Sequence, residues 1–448
     1  MTSPMLLSFR FANHRSFRDE QQLNLMPIYD SEEHAQPDWP AVSVAGIFGA
    51  NASGKSNFID AFSYMRLLVG RSDRLVEPGY GMERRSFKLD PDVANLPSSY
   101  AIDLRLDGIR YTYGFTIYNN GIAEEWLHSY PKNRSRTIFE RQRDDFSWGE
   151  DSRRAQLTRL AEIVAPTALF LSVVARFGKF ESPSNADRSE FGLQPLHSVY
   201  SWVWQRQVIE RPSFSDPQAA RRLYQIASRW SSDDRARAIV VDLLRGADIG
   251  LIDVSVTPPQ QLSLFPEPIA GDDISRAITL ARREGEPQLR FKHRGASKDV
   301  FFEIADESSG TIGLLQSAVR AVPILESGGV VLIDEIDASL HPLLTANLIA
   351  LFQSKRTNRR GAQLIFTSHD ATLLGLLNGE EVLRRDQVWF THKNGDGASR
   401  LFPLSDFRPR KEGENRMRRY LSGTYGAIPE LSMHLFEEAL RTRSDNSA

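Results

Sequence analysis

Gly49-Ala50-Asn51-Ala52-Ser53-Gly54-Lys55-Ser56 has the spacing of a phosphate-binding (Walker A) loop. The flanking residues supply the context such a loop needs. Val42-Ser43-Val44-Ala45-Gly46-Ile47-Phe48 is short, mostly apolar and partly β-branched, which predicts a buried strand. Phe58, Ile59, Phe62 and Met65 recur at helical spacing, so the loop is expected to join a strand to a helix. Backbone N–H groups and a helix N-terminus then converge on one point, which suits a polyanion. Gly49 and Gly54 allow the tight wrap, and Asn51, Ser53 and Asn57 complete the nucleotide-binding stretch. Lys55 is expected to reach the β- and γ-phosphates and the Ser56 hydroxyl to ligate Mg²⁺. The reading predicts a nucleoside triphosphate as first ligand.

A second half of such a site lies far downstream. Val330-Val331-Leu332-Ile333-Asp334-Glu335 ends an aliphatic run in two carboxylates, the form of a Walker B strand. Asp334 is expected to hold the metal and Glu335 to polarise an attacking water. A core strand running into an acidic turn would look the same, and the upstream loop favours the functional reading. Leu364-Ile365-Phe366-Thr367-Ser368-His369 is another apolar strand with a polar tip, where His369 could hydrogen-bond a γ-phosphate. Upstream, Glu307-Ser308-Ser309-Gly310-Thr311 precedes Ile312, Leu315 and Val319, a Ser-Gly turn opening a helix. It reads equally as an anion-ready terminus or a plain N-cap.

Composition narrows the class. The 448 residues are long for one core, and 41% apolar with 25% charged is ordinary for a soluble globular protein. With 0 Cys there are no disulfides, thiolate metal sites or Cys nucleophiles, which fits a cytoplasmic location. The longest mainly apolar stretch, 167–175, falls far short of a membrane span, so no membrane partner is expected, and no secretory signal is read. A net charge of −2 gives no global field for nucleic acid. The 9 His residues show no metal-ligand spacing.

Along the chain, residues 5–24 read as a strand entering a turn at Asn13-His14-Arg15. Residues 101–106, 109–117 and 122–130 read as hairpins through Asp107-Gly108 and Asn119-Asn120-Gly121. Helical periodicity marks 156–164, 167–177, 196–208, 217–230 and 233–244, and surface loops are read at 179–195 and 257–273. Strands are expected at 289–293, 300–304, 330–333, 363–367 and a last one near 387–391, with helices after Gly310 and from Pro342. The expected division is 1–150 (with the Walker A loop and an antiparallel lobe), 151–250 (helical insertion), 251–440 (with the remaining motifs) and a frayed tail at 441–448.

The order of these motifs resembles that of ABC-type ATPases: Walker A, a Ser-Ser-Gly signature, Val-Leu-Ile-Asp-Glu, Ile336-Asp337-Ala338-Ser339-Leu340-His341-Pro342 and Ser368-His369. Phe11-Ala12-Asn13-His14-Arg15-Ser16-Phe17, Tyr113-Gly114-Phe115 and Tyr420-Leu421-Ser422-Gly423-Thr424-Tyr425-Gly426-Ala427-Ile428-Pro429 make it similar to the RecF/SMC/OLD-like branch. Within that branch it resembles the RloA/AbiL-like ATPases of bacterial anti-phage and abortive-infection operons. The fold implied is α/β, an ABC-type P-loop head with a mixed core sheet, an antiparallel β lobe and a helical insertion.

The resemblance implies ATP and Mg²⁺ sandwiched between two copies of the head, a homodimer or higher homo-oligomer. Lys55, Ser56, Asp334, Glu335 and His369 would act from one protomer, and Ser309 and Gly310 from the other. Asp337 would lie in a dimer-contacting loop, and Arg15 would approach the phosphates. The signature departs from Leu-Ser-Gly-Gly-Gln, and for the Q-loop position Gln142 or Arg176 are the candidates. The implied function is a nucleotide-gated sensor or scaffold in phage defence acting on a separate nuclease or toxin. The alternative is a RecF-like DNA-repair ATPase, and a transporter subunit is disfavoured by the N-terminal motif and the insertion. The basic run Arg408-Pro409-Arg410-Lys411 with Arg416, Arg418 and Arg419 could touch nucleic acid, but Glu412 and Glu414 favour a solvated surface. Trp202 and Trp204 are expected to face different sides of a helix, with core packing as the default.

Overall fold

The computed structural model describes residues 3–28, 40–75, 80–150, 154–178, 193–210, 234–247, 250–257, 288–338, 340–410 and 413–428. The segments 179–192, 217–230, 258–273, 339, 411–412 and 441–448 of the sequence reading lie outside them.

In chain order, β1 (Met5–Ala12) and β2 (Gln21–Asn24) precede β3 (Val44–Phe48), which runs through the Walker A loop into α1 (Lys55–Leu75). After the short α2 (Pro91–Asn95) come β4 (Ser98–Leu106), β5 (Ile109–Tyr118), β6 (Gly121–Tyr130), β7 (Arg136–Gln142) and β8 (Asp145–Trp148). Helices α3 (Arg154–Ala161), α4 (Phe170–Phe177) and α5 (Gln194–Gln205) lead to β9 (Gln207–Glu210). Then α6 (Asp234–Ala247), β10 (Leu251–Thr257), β11 (Gln288–His293) and β12 (Val300–Glu303) precede α7 (Ser309–Ser327) and β13 (Val330–Ile333). The described residues end with α8 (Pro342–Gln353), β14 (Gln363–Ser368), a small hairpin of β15 (Leu376–Leu377) and β16 (Glu380–Glu381), β17 (Val388–Lys393), β18 (Ser399–Pro403) and α9 (Arg416–Leu421).

Two sheets carry the architecture. The core sheet has the order β18-β17-β3-β14-β13-β9, parallel except for the β17–β18 edge. Its central strands are covered on both faces, which is why β3, β13 and β14 are continuous apolar runs rather than alternating ones. The second sheet, β2-β1-β4-β5-β6-β7-β8, is antiparallel throughout. Its inner face packs with α1, α4, α5 and one face of the core sheet in a single apolar cluster that includes Phe9, Phe58, Phe62, Tyr100, Leu171 and Trp202. The opposite face of the core sheet packs α7, α8 and the aromatic stack Phe390, Phe402, Phe407 and Tyr425. A smaller cluster joins α6, α7 and the β10–β12 sheet.

Buried polar side chains stitch the sheets together. The Gln363 amide at the start of β14 accepts from Leu6 N at 2.7 Å and donates to Leu6 O at 2.9 Å and Val42 O at 3.1 Å. Gln21 on β2 accepts from Leu401 N on β18 at 2.7 Å. Buried backbone groups need such partners, so these amides align the two sheets as well as join them.

The structure departs from the sequence reading in its strands. Residues 207–208 end the predicted helix 196–208 but belong to β9, which pairs in parallel with β13 through Val330↔Gln207 to Ile333↔Glu210. The chain therefore re-enters the core sheet within the stretch read as a helical insertion. A four-residue strand carries too little periodicity to be separated from the helix before it. Second, 387–391 is not the last strand, because β18 follows and pairs antiparallel with β17. Third, β7, β8, β10 and the β15–β16 hairpin have no counterpart among the expected strands. Trp202 is core, as expected, whereas Trp204 lies against Gly70 with Arg66 and Arg71 stacked on its ring at 4.5 and 5.3 Å.

Candidate functional site

Three neighbouring parallel strands bring the motifs to one edge. β3 ends in the Walker A loop, β13 in Asp334-Glu335 and β14, between them, in Ser368-His369. Ligands of open α/β sheets bind at this carboxyl edge.

The loop is built for close approach. A β-carbon on Gly49 would lie 2.5 Å from Thr391 O, and one on Gly54, whose φ is +118°, would lie 2.6 Å from Ser399 Oγ. β17 and β18 thus press on the loop from outside, and only glycine fits at both positions. Ser53 Oγ shares a hydrogen bond of 2.7 Å with Thr391 Oγ1. Asn51 and Ala52 form the exposed crown of the loop. Lys55 Nζ donates to Gly49 O at 2.7 Å and Ala50 O at 2.9 Å, so the ammonium lies across the loop mouth. Burial pushes the Lys55 pKa down, and the carboxylates of Glu335, Asp334 and Asp337 oppose that shift. The four charges therefore share one neighbourhood although some 280 residues separate them in sequence, the span from Lys55 to Asp334. Ser56 is exposed at the first turn of α1, and Asn57 donates to Ser16 Oγ at 2.7 Å. Ser16 Oγ in turn accepts from Ser399 Oγ at 2.8 Å.

On the Walker B side, Asp334 is buried and its Oδ1 accepts from Thr367 Oγ1 at 2.6 Å. Glu335 is exposed and sits at φ +52°, a left-handed conformation uncommon for a residue with a β-carbon. Its backbone N donates to Thr367 Oγ1 at 2.7 Å. His369 Nε2 lies 3.3 Å from Asp337 Oδ2, with the imidazole more than half exposed and the carboxylate buried. Asp337 Oδ1 is buried without a hydrogen-bond partner. The Asp337 carboxylate therefore faces inward.

The N-terminal motif clamps the other side of α1. Asp60, one turn beyond Ser56, accepts from Arg15 Nε at 2.6 Å and from Arg85 Nη1 at 2.7 Å, and lies 3.0 Å from His14 Nε2. Burial holds the His14 pKa below its ordinary value, so the ring is neutral near pH 7. Asp60 can only accept when ionised, so Nε2–H donates to it and Nδ1 accepts from Tyr100 O–H at 2.7 Å. Burial also raises the Tyr100 pKa, which keeps that phenol a donor. Arg15 is engaged through Nε and is 46% exposed, which leaves its guanidinium fork turned to solvent.

Ser309 and Gly310 are at the opening of α7. Ser308 caps that helix, accepting from Thr311 N at 3.0 Å, while Glu307 binds His293 Nε2 at 2.6 Å. Among the described residues no hydrogen bond or ion pair joins Ser309 or Gly310 to the Walker residues. Lys55, Ser56, Asp334, Glu335, Asp337 and His369 are brought together, and no such contact joins the signature pair to them. Of the two Q-loop candidates, Gln142 ends β7 opposite Glu124 in the antiparallel lobe. Arg176 pairs with Asp73 at 2.8 Å, and Asp73 is 18 residues along α1 from Lys55, about 27 Å away. Arg176 is thus at the wrong end of α1 to meet a γ-phosphate. In the basic run, Arg416 is buried and bound to Glu381 and Leu383 O, and Arg419 pairs with Glu414.

Sequence reasoning missed Thr391, Ser399, Ser16, Asp60 and Arg85. Asp60 carried a signal in its place one helical turn from Ser56, and Ser16 stands inside the N-terminal motif. The donor set fits a nucleotide with Mg²⁺: one hydroxyl, one carboxylate and a loop of N–H groups suit a cation that is otherwise held by phosphate oxygens. Among the described residues no cluster of three or more His, Cys, Asp or Glu could hold a metal unaided, and no helix is long and apolar enough to cross a membrane.

A model of the family described as "AAA domain, putative AbiEii toxin, Type IV TA system" matches residues 44–375. No curated protein matches in sequence. Among solved structures, the chain is similar to an SMC head domain from Thermotoga maritima at 12% identity and TM-score 0.40, covering 90% of this chain and 99% of that one. It is similar to an Smc head domain with an extended coiled coil bound to the C-terminal domain of ScpA, from Pyrococcus furiosus, at 12% identity and TM-score 0.44, covering 90% and 98%. The recombination mediator RecF with ATP matches at 14% identity and TM-score 0.36, covering 89% and 98%.

Proposed function

Because the chain belongs to the AAA-domain family described as putative AbiEii toxin, type IV TA system, we propose that this ABC-type ATPase is a nucleotide-gated switch of anti-phage defence. ATP is bound and hydrolysed between two heads in the cytoplasm, and head pairing controls a separate nuclease or toxin. One observation supports a two-chain site above all: Lys55, Asp334, Glu335 and Asp337 share an edge, while among the described residues no hydrogen bond or ion pair joins Ser309 or Gly310, at the opening of α7, to them.

In this reading the Walker A loop and Lys55 hold the β- and γ-phosphates, with N–H groups at the start of α1 facing them. Ser56 and Asp334 would hold Mg²⁺, which would supply positive charge to the phosphate oxygens. Glu335, exposed beside the buried Asp334, takes the proton of the attacking water, and His369, steadied by Asp337, donates to the γ-phosphate. Arg15, anchored through Asp60, turns its remaining donors to the phosphates. Ser309 and Gly310 of the partner complete the donors around the developing charge.

Glu335→Gln is expected to lower steady-state ATP hydrolysis by at least about 100-fold and to accumulate an ATP-bound dimer, read by phosphate release and size-exclusion chromatography. Unchanged turnover would remove Glu335 from this role. The switch itself is tested by affinity capture from native cells: a nuclease or toxin should co-purify to a degree that changes with ATP, and recovery of the ATPase alone under both conditions counts against it. A RecF-like DNA clamp is the second reading. The internal pairing of Arg416 and Arg419 draws charge away from the surface that would have favoured it.

A further inference from the structure

Between the Walker A loop and the Walker B carboxylates lies a buried residue to which no role has been given. Thr367, the penultimate residue of β14, is fully buried and makes three contacts to the Walker B turn. Its hydroxyl donates to Asp334 Oδ1 at 2.6 Å and accepts from Glu335 N at 2.7 Å, and its carbonyl accepts from Ile336 N at 3.0 Å. A hydroxyl has one proton, and an ionised carboxylate can only accept, so the directions of both bonds are determined.

We propose that Thr367 is a positioning residue for ATP hydrolysis, one hydroxyl setting both the carboxylate of Asp334 and the backbone of Glu335. This rests on the reading of the site as an ATPase. Two features make the hydroxyl necessary rather than incidental. Glu335 adopts φ +52°, which a β-carbon disfavours, so the turn needs an external hold, and Thr367 binds the N–H groups on both sides of that residue's α-carbon. Asp334 has one oxygen committed to Thr367, so its carboxylate cannot rotate freely at the metal-binding end of the strand. The parallel pairing of β13 with β14, Ile333 opposite Phe366, brings the two residues side by side. Two residues further on, His369 contacts Asp337, so the tip of β14 touches each acidic residue of the Walker B turn.

The test compares Thr367→Val, which keeps shape and β-branching without the hydroxyl, with Thr367→Ser, which keeps the hydroxyl. The full chain is assayed for ATP hydrolysis, and ATP binding is measured at equilibrium with Mg²⁺ and with EDTA. Thr367→Val should lower kcat by roughly 10- to 100-fold and lose most of the Mg²⁺-dependent gain in ATP affinity, with metal-free affinity little changed. Thr367→Ser should stay within about threefold of the wild type in both readouts. If the valine variant does not fold, Thr367→Ala against Thr367→Ser asks the same question. An active wild type whose hydroxyl-free variant matches it, or a serine variant as impaired as the valine one, overturns the proposal alone. A wild type without Mg²⁺-dependent turnover overturns the ATPase reading and this proposal with it.

Discussion

At the scale of single residues, one carboxylate organises the N-terminal side of the site. Asp60 receives Arg15, Arg85 and neutral His14 while almost wholly buried. It matters less as an ion pair than as a jig, because engaging Arg15 through Nε leaves the guanidinium fork with one orientation. Asp60→Asn should therefore lower kcat/KM for ATP by about 10- to 100-fold through misplacement of Arg15, seen in initial-rate kinetics; an unaltered value would detach Arg15 from the nucleotide. His14 adds a pH signature. Its folded pKa lies below the unfolded one, so the unfolded chain takes the proton first as pH falls. The stability that neutral His14 contributes is complete above pH about 6.5 and is lost as pH drops from there through the folded pKa. Thermal melts from pH 8 to 5 should show a shallower acid loss in His14→Gln than in the wild type, and parallel curves would exclude this contribution.

At the scale of elements, the site depends on how β1, β14 and β3 are pinned. Gln363 bonds Leu6 on β1 and Val42 just before β3, so β14 enters the core sheet already aligned with the antiparallel lobe. Gln363→Leu would strand three buried backbone groups and should cost at least about 2 kcal/mol, measured by urea unfolding; wild-type stability would show that water replaces the amide. Glu125 plays a comparable role at α4, accepting from Phe170 N at 2.6 Å and Leu171 N at 3.0 Å at the helix start and from Tyr113 O–H at 2.9 Å. Burial pushes its pKa up, and Arg141 beside it opposes that shift. These side chains hold the sheets and helices that aim the loops, without touching the loops themselves.

At the scale of the whole molecule, the expectation is a site completed in trans. Lys55→Ala and Gly310→Asp chains should each be nearly inactive. Mixed one to one, they should recover up to roughly a quarter of wild-type turnover, because half of the dimers then carry one intact composite site. A mixture as inactive as its parts would argue for a site closed within one chain.

The Walker motifs, their strands and the hairpins are legible in the amino-acid sequence because they rest on local chemistry. Gly54-Lys55-Ser56, the run Val330–Ile333 and the Asp107-Gly108 turn each state their conformation in a few adjacent residues. β9 is illegible there because four residues after a helix have no period of their own, and their place beside β13 is a matter of packing. Thr367, Thr391 and Ser399 belong to the same class. Their hydroxyls gain meaning from partners as many as 383 residues away, such as Ser16 for Ser399, and no local pattern encodes such a pairing. The chain's residues alone thus establish which chemistry is carried and on which elements. Burial and strand order, which arise when distant segments share one core, establish which side chains hold that chemistry in place.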